Sequence, residues 1–433
     1  MKHLLIAACT WLCVPAVFAQ QKIKHVVLIT IDGFRPDFYL EPGWNTPHLR
    51  AMMQEGTHAK GVNSVFPSMT YPSHTAIVTG VQPATHGIYY NDLYDETGKG
   101  KGNYWKDSSI QVPTLWSVLH NRGMKVASLY WPVSAGAPVD YNIPDIGGRG
   151  EAVRDAYTKP AGFIETVKKD VFNGDKVSAG KDQNTARIAA WIIEKDAPAY
   201  MNMHLFSVDH AEHVQGRNGE MVKEAIADAD EAVAIVREAL VKKGIWDSSM
   251  LIVTGDHGFV DVHTTVNPNA WLKQAGLLND REHGDWKAQF YYSGGSAWLY
   301  LKQPGDHKTL NAVKKILANL PDSSKRYIRM IDRKQLDKAK ANPEVVLALT
   351  AEQNAAFGGK PEEAAVKPGK GGTHGYFPDF REIRTGFLVV APGVKAGGVI
   401  QEMNLRDIAP IVARALQISF PTAEGKVPDG LFE

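Results

Sequence analysis

From residue 25 onward the chain alternates between two hydrophobic patterns. His25-Val26-Val27-Leu28-Ile29-Thr30-Ile31 is almost continuously apolar and β-branched, which suits a strand covered on both faces in a parallel sheet. The run stops at Asp32-Gly33, where glycine permits a sharp turn. Thr46-Pro47 then opens a predicted helix over residues 47–54, closed by Gly56. The alternation repeats, with helices predicted over 113–121, 184–195, 218–243 and 405–418, and strands over 125–130, 200–207, 250–254 and 387–390. In the longest helix Ile226, Val233, Ile235, Val236 and Leu240 fall at roughly helical spacing. Strands alternating with helices predict an α/β fold, a mostly parallel central sheet with helices on both faces. Two stretches break the rhythm, 134–180 and 265–370, both rich in Gly, Pro and charged residues. They read as insertions at the active-site edge of a single catalytic domain over residues 20–433.

Composition sharpens this picture. The chain has 433 residues, 48 Lys+Arg against 47 Asp+Glu, and two cysteines. Both cysteines, Cys9 and Cys13, lie in an apolar N-terminal stretch that follows Lys2 and ends in Val17-Phe18-Ala19. That is the pattern of a cleavable signal peptide, residues 1–19, and predicts a periplasmic or secreted protein with no membrane span after its removal. Ile6-Ala7-Ala8 before Cys9 resembles a lipobox, but leaves an apolar region of about five residues, shorter than the roughly 7–15 expected. Removal of Lys2 with the leader leaves equal numbers of basic and acidic residues and no thiol. Disulfide scaffolds, thiolate metal sites and cysteine nucleophiles are then excluded. A neutral chain also has no general attraction to a nucleic-acid duplex, so the expected partner is a small molecule.

The chemistry stands at the strand ends, where open parallel sheets bind their ligands. Asp32 follows the first strand. Asp209 and His213 follow the strand over 200–207, Asp256 and His257 follow 250–254, and His374 lies near the strand over 387–390. Three carboxylates and three imidazoles drawn from distant segments form a metal constellation. Mixed His and carboxylate donors favour Zn²⁺ over Mg²⁺. Six ligands exceed one tetrahedral site and fit two Zn²⁺ sharing a substrate, an arrangement suited to phosphoryl transfer. Each residue alone has a plainer reading as a cap, turn or core group.

A nucleophile candidate lies in Phe66-Pro67-Ser68-Met69-Thr70-Tyr71-Pro72-Ser73-His74. Pro72 is placed to open a helix to Thr79, stopped by Gly80. Thr70 then sits just before a helix N-terminus, where free N–H groups favour an anion or alkoxide. Metal contact would activate its hydroxyl; the alternative is that Thr70 or Ser68 only caps the helix.

In their order along the chain, Asp32-Gly33-Phe34-Arg35, Thr70-Tyr71-Pro72-Ser73-His74, His86-Gly87-Ile88-Tyr89-Tyr90-Asn91, Asp209 with His213, Thr254-Gly255-Asp256-His257-Gly258 and Gly372-Thr373-His374-Gly375-Tyr376 resemble the nucleotide pyrophosphatase/phosphodiesterases of the alkaline phosphatase superfamily. The resemblance spans about residues 22–410 and implies an alkaline phosphatase-like fold. It implies that Asp209, His213 and His374 hold one zinc, and Asp32, Asp256, His257 and the Thr70 oxygen the other. It further implies that Thr70 forms a phospho-enzyme diester, that Asn91 with the Thr70 N–H binds a non-bridging oxygen, and that Tyr71 stacks on a nucleobase.

The stretch Trp131-Pro132-Val133-Ser134 carries no basic residue to meet the extra charge of a monoester. It resembles the Trp-Pro-Gly of the phosphodiesterase branch, with Val133 in place of glycine. A diester or nucleotide pyrophosphate is therefore the expected substrate, and a phosphomonoesterase on the same fold the alternative. A dead copy that serves as a binding scaffold is disfavoured by the presence of all six ligands and Thr70. The sulfatase Cys/Ser-x-Pro-x-Arg pattern is absent around Thr70, and the membrane helices of phosphoethanolamine transferases are missing. Trp131 and Tyr141 are candidates for the second face of a base clamp.

Overall fold

Eight strands form the central sheet: β1 (His25–Ile31), β2 (Thr57–Ala59), β3 (Val126–Leu129), β4 (Tyr141–Ile143), β5 (Tyr200–Leu205), β6 (Ser249–Thr254), β7 (Phe387–Val390) and β8 (Gly398–Ile400). Their spatial order is β8-β2-β7-β6-β1-β5-β3-β4. The computed structural model describes residues 22–432 apart from 101, 176, 178 and 179. The predicted leader, with Cys9 and Cys13, lies outside the described residues.

The sheet is mostly parallel, as expected. β1 pairs parallel with β5 and β6, and β3 with β5 and β4; only β7 runs against its neighbours β6 and β2. The apolar run of β1 is explained by burial on both faces. Val27, Ile29 and Ile31 enter one cluster with the helices Asp182–Asp196 and Glu220–Lys242. Val26 and Leu28 enter a second with Thr70–Thr79, Leu115–His120 and Ile408–Ala415. Register sets the site: Thr30 of β1 lies opposite His204 of β5 and Thr254 of β6. The three carboxyl ends are therefore level, and the segments leaving them emerge side by side.

Four segments differ from the sequence expectation. The strand predicted over 200–207 stops at Leu205, because Ser207 begins a helix, Ser207–Gln215. Its hydroxyl donates to the buried Asp182 at 2.9 Å. The helix predicted from Pro72 starts two residues earlier, at Thr70, with Met69 as N-cap. The last predicted helix is a 3-10 turn, Leu405–Asp407, followed by Ile408–Ala415. Part of the 134–180 stretch is the sheet's own edge strand, Tyr141–Ile143, paired parallel with β3.

The 265–370 stretch builds an antiparallel sheet from Ala288–Ser293, Ser296–Leu301, Leu347–Ala351 and Ile328–Ile331, with its own apolar cluster around Trp271, Phe290, Leu299 and Leu349. Strand Val260–Val266 pairs with Gly372–Thr373 in antiparallel fashion, and this pairing delivers His374. The histidine thus comes from a second, smaller sheet and not from an end of the central one. Among the described residues no helix is long and apolar enough to cross a membrane.

Candidate active site

The turn after β1 presents Asp32. Gly33 has φ +73, and a Cβ there would lie 2.6 Å from Glu212 Oε2, so both conformation and space require glycine. Asp256 and His257 follow β6, and Asp209 and His213 stand one turn apart on the helix Ser207–Gln215. These segments bring five of the six predicted ligands together in two overlapping groups. Asp32, Asp256 and His257 form one; Asp209, His374 and again His257 form the other, with ligand atoms within 4.8 Å of one another in each. His257 Nε2 is 3.2 Å from Asp32 Oδ1 and 3.1 Å from Asp256 Oδ2. Asp209 Oδ1 lies 3.4 Å from His213 Nε2 and 3.6 Å from His374 Nε2. His213 stands outside the tight groups and is the most open member, its side chain 40% exposed.

Each of these histidines turns Nδ1 to a backbone carbonyl: His213 to Gly372 at 3.0 Å, His257 to Gly258 at 3.1 Å and His374 to Ser68 at 3.1 Å. Such bonds fix the ring and leave Nε2 free as a donor to a metal. Burial lowers the affinity of His213 and His374 for protons, which favours the neutral, ligating imidazole. The carboxylates divide. Burial alone would raise Asp32, yet the neighbouring imidazoles of His204 and His257 hold it well below its ordinary range. Burial and the neighbouring acids push Asp209 and Asp256 well above theirs. Asp32 Oδ1, Asp209 Oδ1, Asp256 Oδ2 and His257 Nε2 are buried without a hydrogen-bond partner. Four orphaned donor atoms at one point, with three carboxylates short of positive charge, fit divalent cations.

Thr70 is the first residue of a helix whose ten residues are all buried. Met69, not Thr70, occupies the N-cap position, and Ser68 Oγ instead donates to Tyr376 O at 2.9 Å, so neither Thr70 nor Ser68 serves as the cap. Thr70 and Asp32 line one cavity of about 380 Å³ together with Tyr71, Tyr130, Asp145, Arg154, His204 and Phe206. Asn91 Oδ1 accepts from the Tyr71 N–H at 2.9 Å, which leaves the amide nitrogen of Asn91 without a partner among the described residues. The Tyr71 hydroxyl donates to Asp145 Oδ2 at 2.7 Å and accepts from Asn103 at 2.6 Å.

Trp131 and Tyr141 are core residues and form no second face of a clamp. Trp131 is fully buried, edge-on to His74 at 4.7 Å between centroids. Tyr141 packs on Phe163 and donates to Asp196. The aromatic residues that do line the cavity besides Tyr71 are Tyr130 and Phe206. Val133, where the resembling motif has glycine, adopts φ +57, a left-handed conformation that β-branched residues rarely take. It is buried against Tyr71 and Ile88, so packing holds the strained backbone. The sequence reading also missed His204, whose Nε2 is 3.1 Å from Asp32 Oδ2, and Arg154. Neither belongs to a motif.

Comparison with known proteins identifies the family and the fold. Residues 26–377 match the family described as type I phosphodiesterase / nucleotide pyrophosphatase. Similar proteins include ectonucleotide pyrophosphatase/phosphodiesterase family member 7 of Rattus norvegicus, 28% identical over 60% of this chain and 54% of the relative. Family member 3 of Mus musculus is 25% identical over 92% of this chain and 42% of its own length, and a venom phosphodiesterase of Macrovipera lebetinus 25% identical over 93% and 44%. The chain thus spans about half the length of these curated relatives. The solved structure of murine ectonucleotide pyrophosphatase/phosphodiesterase 5 shares the fold, with TM-score 0.71 and 20% identity over 94% of this chain and all of that one. With residues 26–377 matched by the family, this chain belongs to the type I phosphodiesterase / nucleotide pyrophosphatase family of the alkaline phosphatase superfamily.

Proposed function

We propose that the chain is a two-zinc hydrolase of phosphodiester or nucleotide pyrophosphate bonds that works through a covalent phospho-threonine, exported to the periplasm or secreted. Asp209, His213 and His374 would hold one ion; Asp32, Asp256, His257 and the Thr70 oxygen the other. When bound, the ions supply positive charge that lowers the basicity of the attacking and leaving oxygens. The Thr70 hydroxyl oxygen attacks phosphorus and the leaving alcohol or phosphate departs, giving a phosphodiester on Thr70. Water then cleaves the Thr70–phosphorus bond, releases a phosphomonoester and restores the hydroxyl. The amide of Asn91 donates to a non-bridging oxygen where charge builds up. Tyr71 forms an aromatic wall for the organic group, its ring held in place by Asp145 and Asn103.

The observation that supports this reading most is the pair of donor groups sharing His257, with four orphaned buried atoms, at a site where Asp32 and Thr70 line one cavity. An inactive variant of murine ectonucleotide pyrophosphatase/phosphodiesterase 5 solved in complex with AMP supports a nucleotide product. Acid quenching during turnover of a diester, followed by peptide mass spectrometry, should find phosphate ester on Thr70. Full activity in Thr70→Ala would exclude the covalent route.

A further inference from the structure

Arg154 is an anomaly in the cavity wall. It lines the same cavity as Thr70, and its side chain is only 20% exposed. Its Nε is buried without a hydrogen-bond partner. No side-chain hydrogen bond of Arg154 is present among the described residues, and its one ion-pair contact is Nε to Asp155 Oδ1 at 3.6 Å. A guanidinium has five donors and cannot shed its charge, so a buried Nε without a bond is costly unless something else satisfies it. The acid that lines the cavity on the preceding loop does not do so. Asp145 accepts from the Tyr71 hydroxyl at 2.7 Å and from the Gly147 N–H at 2.9 Å. Away from the reacting side, with Asp32, Thr70 and His204, the wall is formed by Tyr130, Phe206, Pro144, Ile146 and Gly147-Gly148.

We propose that Arg154 is a specificity-determining residue that binds a second phosphate group of the substrate, beyond the phosphate presented to Thr70. The inference rests on the hydrolase reading above and narrows its substrate class. A planar fork of donors suits phosphate oxygens. The cavity volume of about 380 Å³ lies toward the low end of small-molecule sites, so a group bound next to the scissile phosphate falls within reach of this wall. Substrates with two phosphates along one nucleoside or dinucleotide are selected. Diesters whose organic group is cationic, such as choline-type head groups, are disfavoured by charge.

The test compares two p-nitrophenyl esters of thymidine 5′-phosphate, one with a free 3′-hydroxyl and one with a 3′-phosphate. Both have the same leaving group and base, and differ only in the second anion. The full-length protein with zinc is expected to favour the 3′-phosphorylated ester in kcat/KM by about tenfold or more, the gain of a charge-assisted bidentate contact. In Arg154→Gln that ratio is expected to fall to near one, and Arg154→Lys to keep part of it. A ratio near one in the unaltered protein would overturn the proposal. So would an unchanged ratio in Arg154→Gln, which would make Arg154 structural. Failure of the unaltered protein to hydrolyse either ester would instead count against the hydrolase reading itself.

Discussion

His204 Nε2 lies 3.1 Å from Asp32 Oδ2, while Asp32 Oδ1 faces His257 Nε2 at 3.2 Å. The first carboxylate of the candidate metal cluster is therefore gripped on its far side by a buried imidazole. Asp32 is held ionised and can only accept, so His204 donates. Partners of this kind orient a ligand and typically change metal affinity 10–100-fold. His204→Phe should weaken zinc binding by about that factor, measured on the full chain by competition with a chromophoric chelator, with His204→Gln in between. Unaltered affinity in His204→Phe would mean that the contact does not position Asp32.

Asn91 is anchored by its oxygen to the Tyr71 N–H at 2.9 Å, which leaves its amide nitrogen free to donate. Asn91→Ala should lower kcat toward a phosphodiester by roughly 100-fold with a small change in KM, as for removal of one oxyanion donor. Asn91→Asp keeps the acceptor for Tyr71 but faces the substrate with negative charge, and should be at least as slow. A variant that changes KM alone would place Asn91 in ground-state binding.

Asp182 gives a pH signature separate from the metal cluster. It is buried at 1% exposure, accepts from the Ser207 hydroxyl, and burial pushes it up to about 6. Below its unfolded value near 3.8 it is protonated in both states and costs nothing. As pH rises through about 6, the folded protein must bury the ionised form and stability is lost. A displacement of about two units corresponds to roughly 3 kcal/mol at most. Asp182→Asn keeps an acceptor for Ser207 and removes the charge. The variant's stability relative to the unaltered protein should therefore grow from about pH 4 to about pH 6 and level off by about pH 8, as read by urea unfolding. A difference flat across that range would contradict the assignment.

Legibility in the sequence followed the distance over which each feature is determined. The apolar run of β1 is local and was readable, because both faces of that strand are buried. Asp32 and Asp256-His257 were readable for the same reason, standing directly after such runs. Asp209 does follow the strand, but the helix that carries it was not legible, since Ser207 leaves the strand to bond Asp182, 25 residues earlier in the chain. His204 carries no local signal because its partner, Asp32, is 172 residues away. Trp131 resembled a ligand wall, yet it is core against His74, a contact made only when β3 and the Thr70 helix pack together. Arg154 carried no signal at all. Its meaning comes from the bonds it lacks inside a cavity.

The central claim is that this site cleaves phosphodiesters. Its most direct test is the zinc-dependent rate on bis-p-nitrophenyl phosphate against that on p-nitrophenyl phosphate, with EDTA-treated protein as control. The account predicts faster cleavage of the diester, loss of both activities with EDTA and recovery with added zinc. Faster cleavage of the monoester, or a diester rate indifferent to EDTA, would contradict it.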